Sequence, residues 1–332
     1  MIPIATATTA PPFSSPRGAV VREVTQQSLD VPPCGRCTRP RLCPVRTARA
    51  LVRTMRPRQW VKNVLVLAAP FAAGSLLEPG VAGPTALAFV AFCLVSSGVY
   101  CFNDCADVEA DRLHPLKRTR PIAAGELSVG QGVLAGGVLT AAGLAVGALT
   151  GWPLLVLLAS YVVLQLGYVL WLKHEPVLDI AVVALGFLLR AVAGGLAADL
   201  PISDWFLLVT GFGSLFMVAG KRYSELHTLG GQAGTRRSLV GYTGTYLRFV
   251  WTLGAAATLM SYSLWAFENS TSGRLPWHTL SIAPFAVGLL RYAVDIDSGS
   301  AAEPEDIVWG DRTLQLVGAC WLLLVGLGVL GV

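Results

Sequence analysis

The stretch PTALAFVAFCLVSSGVYCFNDCADVEAD, Pro84 to Asp111, carries no charge before Asp104 and four carboxylates from there on: Asp104, Asp107, Glu109 and Asp111. An apolar run of this length reads as a helix crossing a lipid bilayer. The acids then stand where that helix leaves the hydrocarbon. An ionisable side chain inside a membrane costs about 2.5–3.5 kcal/mol on insertion scales, so such a cluster is a functional hypothesis by default.

Working outward, runs of membrane-spanning length recur along the chain. They fall near Trp60–Leu77, Pro84–Phe102, Val129–Thr150, Pro153–Leu172, Val177–Leu196, Trp205–Gly220, Leu247–Phe267, Leu280–Val294 and Thr313–Val332. The spacing predicts an all-α integral membrane protein of about nine transmembrane helices. Composition agrees: 54% of the 332 residues are hydrophobic and 14% are charged. Soluble domains carry about a quarter charged residues, so this chain lacks the polar surface to coat a globule in water.

Charge distribution sets the orientation. Of the 25 lysines and arginines, eleven lie at or before Lys62 and twelve in or beside the loops that share that side of the membrane. Only Arg274 falls on the other side, and Arg190 lies within a span. This is the positive-inside pattern, and it puts the acidic cluster in the cytoplasm. The net charge of +5 then reflects topology, and a nucleic-acid partner is not expected. Residues 1–50 are rich in Pro, Thr, Ser and Arg, with no apolar run long enough for a signal-peptide core, and are read as a disordered cytoplasmic arm before a catalytic domain at 51–332. Within the arm, Cys34, Cys37 and Cys43 lack a fourth zinc ligand and are read as free thiols.

Asp104, Asp107 and Asp111, at i, i+3 and i+7, are expected on one helical stripe, with Glu109 pointing elsewhere. His114-Pro115 should end the helix. Three aligned carboxylates repel one another unless a cation lies between them, and magnesium takes one or two carboxylates plus waters and phosphate oxygens. The bland alternative is a helix end neutralised by Lys117, Arg118 and Arg120. In the fifth span, Asp179 lies level with the cluster, where it suits a metal or a substrate hydroxyl. Arg190 stands about 16 Å further along the axis, at 1.5 Å per residue, and is expected to meet a carbonyl or acid on another helix. Clusters such as AGG at 193–195 and GFG at 211–213 read as close helix packing.

The pattern NDxxDxxxDxxHPxKxxRPIAxG, from Asn103 to Gly125, resembles the first motif of the UbiA superfamily of membrane prenyltransferases. RPRQWVKNVLVLAAP (Arg56–Pro70), LDI…GFLLRAVAGG (Leu178–Gly195), GKRYSEL (Gly220–Leu226) and PEDIVWGDRTLQ (Pro304–Gln315) resemble one branch of it, the decaprenyl-phosphate phosphoribosyltransferases. The resemblance covers the chain from about Ala50 onward. It implies a helical bundle around a cytoplasm-facing cavity, with Asp104, Asp107 and Asp111 catalytic and holding Mg2+ against a diphosphate. It also implies substrate contacts from Arg58, Lys62, Asn63, Asn103, Lys117, Arg120, Asp179, Lys221, Arg222, Tyr223 and Glu225.

The implied reaction moves 5-phosphoribose from soluble phosphoribosyl diphosphate to a polyprenyl phosphate, supplying arabinose donor for an actinobacterial cell wall. Prenyl-transferring members carry a second aspartate-rich motif after the sixth span. Here that loop has Glu225 as its one acid, beside Lys221, Arg222, Arg236 and Arg237. Such a loop suits anions better than a second metal cage. A prenyl transfer to an aromatic acceptor and a magnesium-dependent transporter are the alternatives. An oligomer of the chain is compatible with all three.

Overall fold

In a computed structural model, residues 44–229, 241–270, 275–301, 307 and 310–331 are described. The arm thiols, Arg236, Arg237, Arg274 and most of Pro304–Trp309 lie outside these residues. Every regular element among the described residues is helical. The chain runs α1 (Pro44–Met55), a 3₁₀ segment (Pro57–Leu67), α2 (Ala68–Ala72), α3 (Pro79–Ala106), α4 (Val108–Leu113) and α5 (Val129–Ala148). It continues with α6 (Trp152–Leu170), α7 (Leu178–Ala197), α8 (Asp204–Leu229), α9 (Gly244–Glu268), α10 (Trp277–Leu280), α11 (Ile282–Asp297) and α12 (Arg312–Leu330). Helix α1 begins ahead of residue 51, and its Ala50 is buried against Ile122 and Leu127, so the folded part starts earlier than composition suggests.

Among the described residues, six stretches are long and apolar enough to cross a membrane: α3, α5, α6, α7, Trp277–Asp297 and α12. Their lipid-facing sides show as exposed apolar side chains such as Leu134, Val163, Leu290 and Leu323. Local signals bound them. Ser128 and Gln131 form a capping box at the start of α5, satisfying backbone donors that a helix start leaves open. The Asp311 side chain accepts from Thr313 and Leu314 at the start of α12, which stops at Gly331 in the left-handed region.

The first expected span is not one helix. Proline at its first position and Arg56 in the left-handed region (φ 54) open a 3₁₀ segment of 11 residues, and α2 follows it directly. Runs of 3₁₀ this long are uncommon and often mark a functional position. With three residues per turn, Arg58 and Lys62 stand about 120° apart and are not the neighbours an α-helix would make them. What holds the segment is contact: a Cβ on Gly194 of α7 would lie 1.8 Å from the Val66 carbonyl oxygen. The AGG cluster therefore does permit a close approach, whereas Gly211 faces open space and Gly213 makes only ordinary contact.

Among the described residues, two larger apolar cores stand beside that small one at Ala50. One joins the 3₁₀ segment, α3, α6 and α7 around Val66, Phe92, Val95, Leu158 and Ala193. The other joins α7, α8, α9 and α11 around Ile180, Phe216, Leu247, Tyr292 and Ile296. Helix α7 takes part in both, which makes it the shared wall between α3 and α8.

Candidate active site

Helix α3 does not run through the acidic cluster. It ends at Ala106, Asp107 sits at the break (φ −95°, ψ 9°), and α4 begins at Val108. The turn keeps helical hydrogen bonds, Asp107 N–H to the Asn103 carbonyl and Asp111 N–H to the Asp107 carbonyl. The single stripe expected of the three aspartates is thereby split. Asp104 and Asp111 are buried, each under 5% exposed, and Asp107 is half-buried and pairs with a different cation. Glu109 is exposed, and α4 ends before His114, as the His-Pro pair required.

Each aspartate meets a cation. Arg56 donates to Asp104 at 2.5 Å, and its guanidinium lies over the Tyr100 ring. One nitrogen of Arg120 reaches both Asp104 Oδ1, at 3.2 Å, and Asp111 Oδ2, at 2.6 Å. Lys173, between α6 and α7, donates to Asp107 at 2.5 Å. Three carboxylates thus face three cations. Among the described residues, no three acidic, histidine or cysteine side chains gather closely enough to hold a metal. Two do converge on one positive atom, since Arg120 Nη1 bridges Asp104 and Asp111. A divalent ion that takes one or two carboxylates fits that donor pair.

A second polar group joins the end of α6, the start of α7 and the last turns of α8. Arg222 forks onto both oxygens of Asp179 at 2.9 Å and reaches Glu225 at 3.0 Å. Tyr168 of α6 donates to Asp179 at 2.7 Å. All four side chains are at least partly buried. Burial works against the charge on Arg222, but Glu225 and Asp179 outweigh it and push its pKa above the ordinary arginine value. Tyr242, whose hydroxyl accepts the Val177 N–H at 2.7 Å, covers the start of α7, and burial pushes its pKa up.

The remaining expected residues divide. Lys221 precedes Arg222 and is half-buried, as are Asn103, Lys62 and Lys117 at their own positions, while Arg58 is exposed. Tyr223 points away: its hydroxyl takes a bond from Arg248 at 2.7 Å and lies 3.3 Å from Asp297, on the α9–α11 side. Asn63 is 1% exposed and faces inward, donating to Cys93 and Ser96 and accepting from Arg190. It is a core residue in this arrangement. Arg190 finds a carbonyl on its own helix, Gly186, with Asn63 and the Tyr161 hydroxyl on other elements, and no carboxylate among its recorded partners.

Arg56, Lys173 and Tyr168 were not singled out for these contacts. Their signals were faint: a basic residue before a span, one lysine in a short inside loop, and a tyrosine at a helix end.

Residues 64–330 match the model of the UbiA prenyltransferase family. A decaprenyl-phosphate phosphoribosyltransferase of Mycolicibacterium smegmatis is 48% identical over 300 residues, covering 86% of this chain and 94% of that protein. One of the same name from Corynebacterium glutamicum is 47% identical, covering 86% of this chain and 88% of that protein. Among solved structures, a UbiA homolog from Archaeoglobus fulgidus bound to GPP and Mg2+ superposes with a TM-score of 0.64 at 19% identity, over 85% of this chain and all of that one.

Proposed function

The chain belongs to the UbiA prenyltransferase family, and we propose that it moves 5-phosphoribose from 5-phosphoribosyl 1-diphosphate to a polyprenyl phosphate, decaprenyl phosphate, releasing diphosphate. The observation that carries this reading is near-full-length identity of 47–48% to relatives named for that reaction. The site chemistry supports it: carboxylates able to share a cation lie among basic side chains able to take phosphates. Its place is a step that supplies arabinose donor for a bacterial cell wall.

Asp104 and Asp111 would hold a magnesium ion with the donor's diphosphate, and Asp107 would join them once Lys173 is drawn off. When bound, the ion neutralises charge that builds on the departing diphosphate. Arg56, Arg120 and Lys173 now neutralise the aspartates, so a phosphate-rich donor exchanges their partners and makes them its own ligands. The bond from ribose C1 to the diphosphate oxygen breaks, and one from C1 to an oxygen of the lipid phosphate forms. The second pKa of a phosphate monoester is about 6, so the acceptor is already largely ionised at neutral pH. No general base is needed, in keeping with a site that lacks a poised histidine. Rate then comes from positioning and charge.

Counting the 3₁₀ segment with α2 as the first crossing, and α8 and α9 as crossings, gives nine. The lysine and arginine distribution supports a cavity open to the cytoplasm. The test is a cross of two donors and two acceptors on purified protein in lipid nanodiscs. Phosphoribosyl diphosphate with decaprenyl phosphate should give product only when magnesium is present. Consumption of a prenyl diphosphate with an aromatic acceptor instead would overturn the proposal in favour of prenyl transfer.

A further inference from the structure

Arg190 is a charged side chain 7% exposed, well inside the membrane-spanning helix α7. Burying a cation without a paired anion is costly, so its partners must do a job that an apolar residue would not. Those partners are neutral. Nε donates to Asn63 Oδ1 at 2.9 Å, one terminal nitrogen to the Gly186 carbonyl at 2.7 Å, and the other to the Tyr161 hydroxyl at 2.6 Å. The guanidinium also lies over the rings of Phe92, Tyr161 and Phe187, 4.9–5.8 Å from their centroids. One side chain thereby clips together four elements: the 3₁₀ segment, α3, α6 and α7.

The 3₁₀ segment has the most to lose from that clip. A run of this kind has poorer hydrogen-bond geometry than an α-helix and persists where its surroundings hold it. Along the side facing α3 it is pinned repeatedly. Trp60 donates to Ser97 Oγ at 3.0 Å, and Asn63 donates to Cys93 and Ser96 at 3.3 and 3.4 Å. From α7, Arg190 holds Asn63. At the start of the segment stands Arg56, in a backbone conformation that non-glycine residues seldom adopt, with its guanidinium on Asp104.

We propose that Arg190 is a positioning residue for the donor site: by fixing Asn63 it fixes the register of the 3₁₀ segment, and so places Arg56 on Asp104. The donor-site role rests on the phosphoribosyl-transfer reading above. It extends that reading from the acids to a residue deep in the bundle that touches none of them.

The test uses full-length protein in nanodiscs. Arg190→Lys keeps the charge but puts its donors on one nitrogen, which cannot span acceptors set around the three nitrogens of a guanidinium. It should raise the KM for phosphoribosyl diphosphate about tenfold, the scale of one charge-assisted hydrogen bond, while the KM for decaprenyl phosphate and the Tm change little. Amide hydrogen exchange should rise in peptides spanning 57–67 and stay constant in α5 and α9. Asn63→Ala should do the same from the other end of the bond, and it serves if Arg190→Lys does not fold.

Adding Arg190→Lys to Arg56→Ala should raise the donor KM no further than Arg56→Ala alone, because both act through one contact. Multiplicative effects, or exchange that rises throughout with a falling Tm, would reduce Arg190 to general scaffolding and overturn the proposal. If wild-type protein consumes no phosphoribosyl diphosphate, the functional reading falls. A rise in exchange confined to 57–67 would then still uphold the clip, and unchanged exchange there would overturn it.

Discussion

Asp104 is the residue on which most of the site converges, with Arg56 and Arg120 both on its Oδ1. Asp104→Asn keeps its shape and removes its charge, so turnover should fall on the order of a hundredfold, the upper scale of a charged hydrogen bond. Initial rates in excess magnesium check this, and near-normal rates would remove Asp104 from the metal. Arg222 and Lys221 adjoin in sequence but differ in kind. Arg222 is buried and paired with Asp179 and Glu225. Breaking a buried pair from one side costs about 3–5 kcal/mol, so Arg222→Ala should unfold at markedly lower temperature. Lys221→Ala should leave the Tm near wild type and raise the donor KM about tenfold. Thermal unfolding beside kinetics separates the two.

Elements differ in how openly the sequence states them. The runs that became α3, α5, α6 and α7 were legible because a bilayer demands length and apolarity, and both are countable. The 3₁₀ segment was not, since a continuous apolar run looks the same at 3.0 and 3.6 residues per turn. Nor was the break at Asp107 marked by glycine or proline, so the aspartates looked like one stripe. The pairing of Arg222 with Asp179, 43 residues apart, depends on how α7 and α8 pack, which no local pattern encodes. Asn63 was placed at the site by its motif, yet the 3₁₀ turn aims it into the core. At this scale Gly194→Val is decisive: its side chain would collide with the Val66 carbonyl. Overpacking of this kind costs about 1–3 kcal/mol or more, so the Tm should drop and hydrogen exchange in 57–67 should rise.

At the scale of the whole molecule, the account requires that the acidic end of α3 face the cytoplasm. Arg118→Cys, in the loop after α4, should resist a membrane-impermeant thiol reagent added to intact cells. Glu78→Cys, exposed before α3, should react with it. The reverse pattern would invert the topology and separate the site from a cytoplasmic donor. The central claim, that ribose and not the diphosphate leaves with the lipid, is tested most directly by a donor labelled twice. Phosphoribosyl diphosphate carrying carbon-14 in its ribose and phosphorus-32 in its diphosphate is incubated with the protein, magnesium and decaprenyl phosphate, and the organic phase is counted. The account predicts that carbon-14 enters the organic phase while phosphorus-32 stays in water. Carbon-14 left wholly in water, or both labels in the lipid, would contradict it.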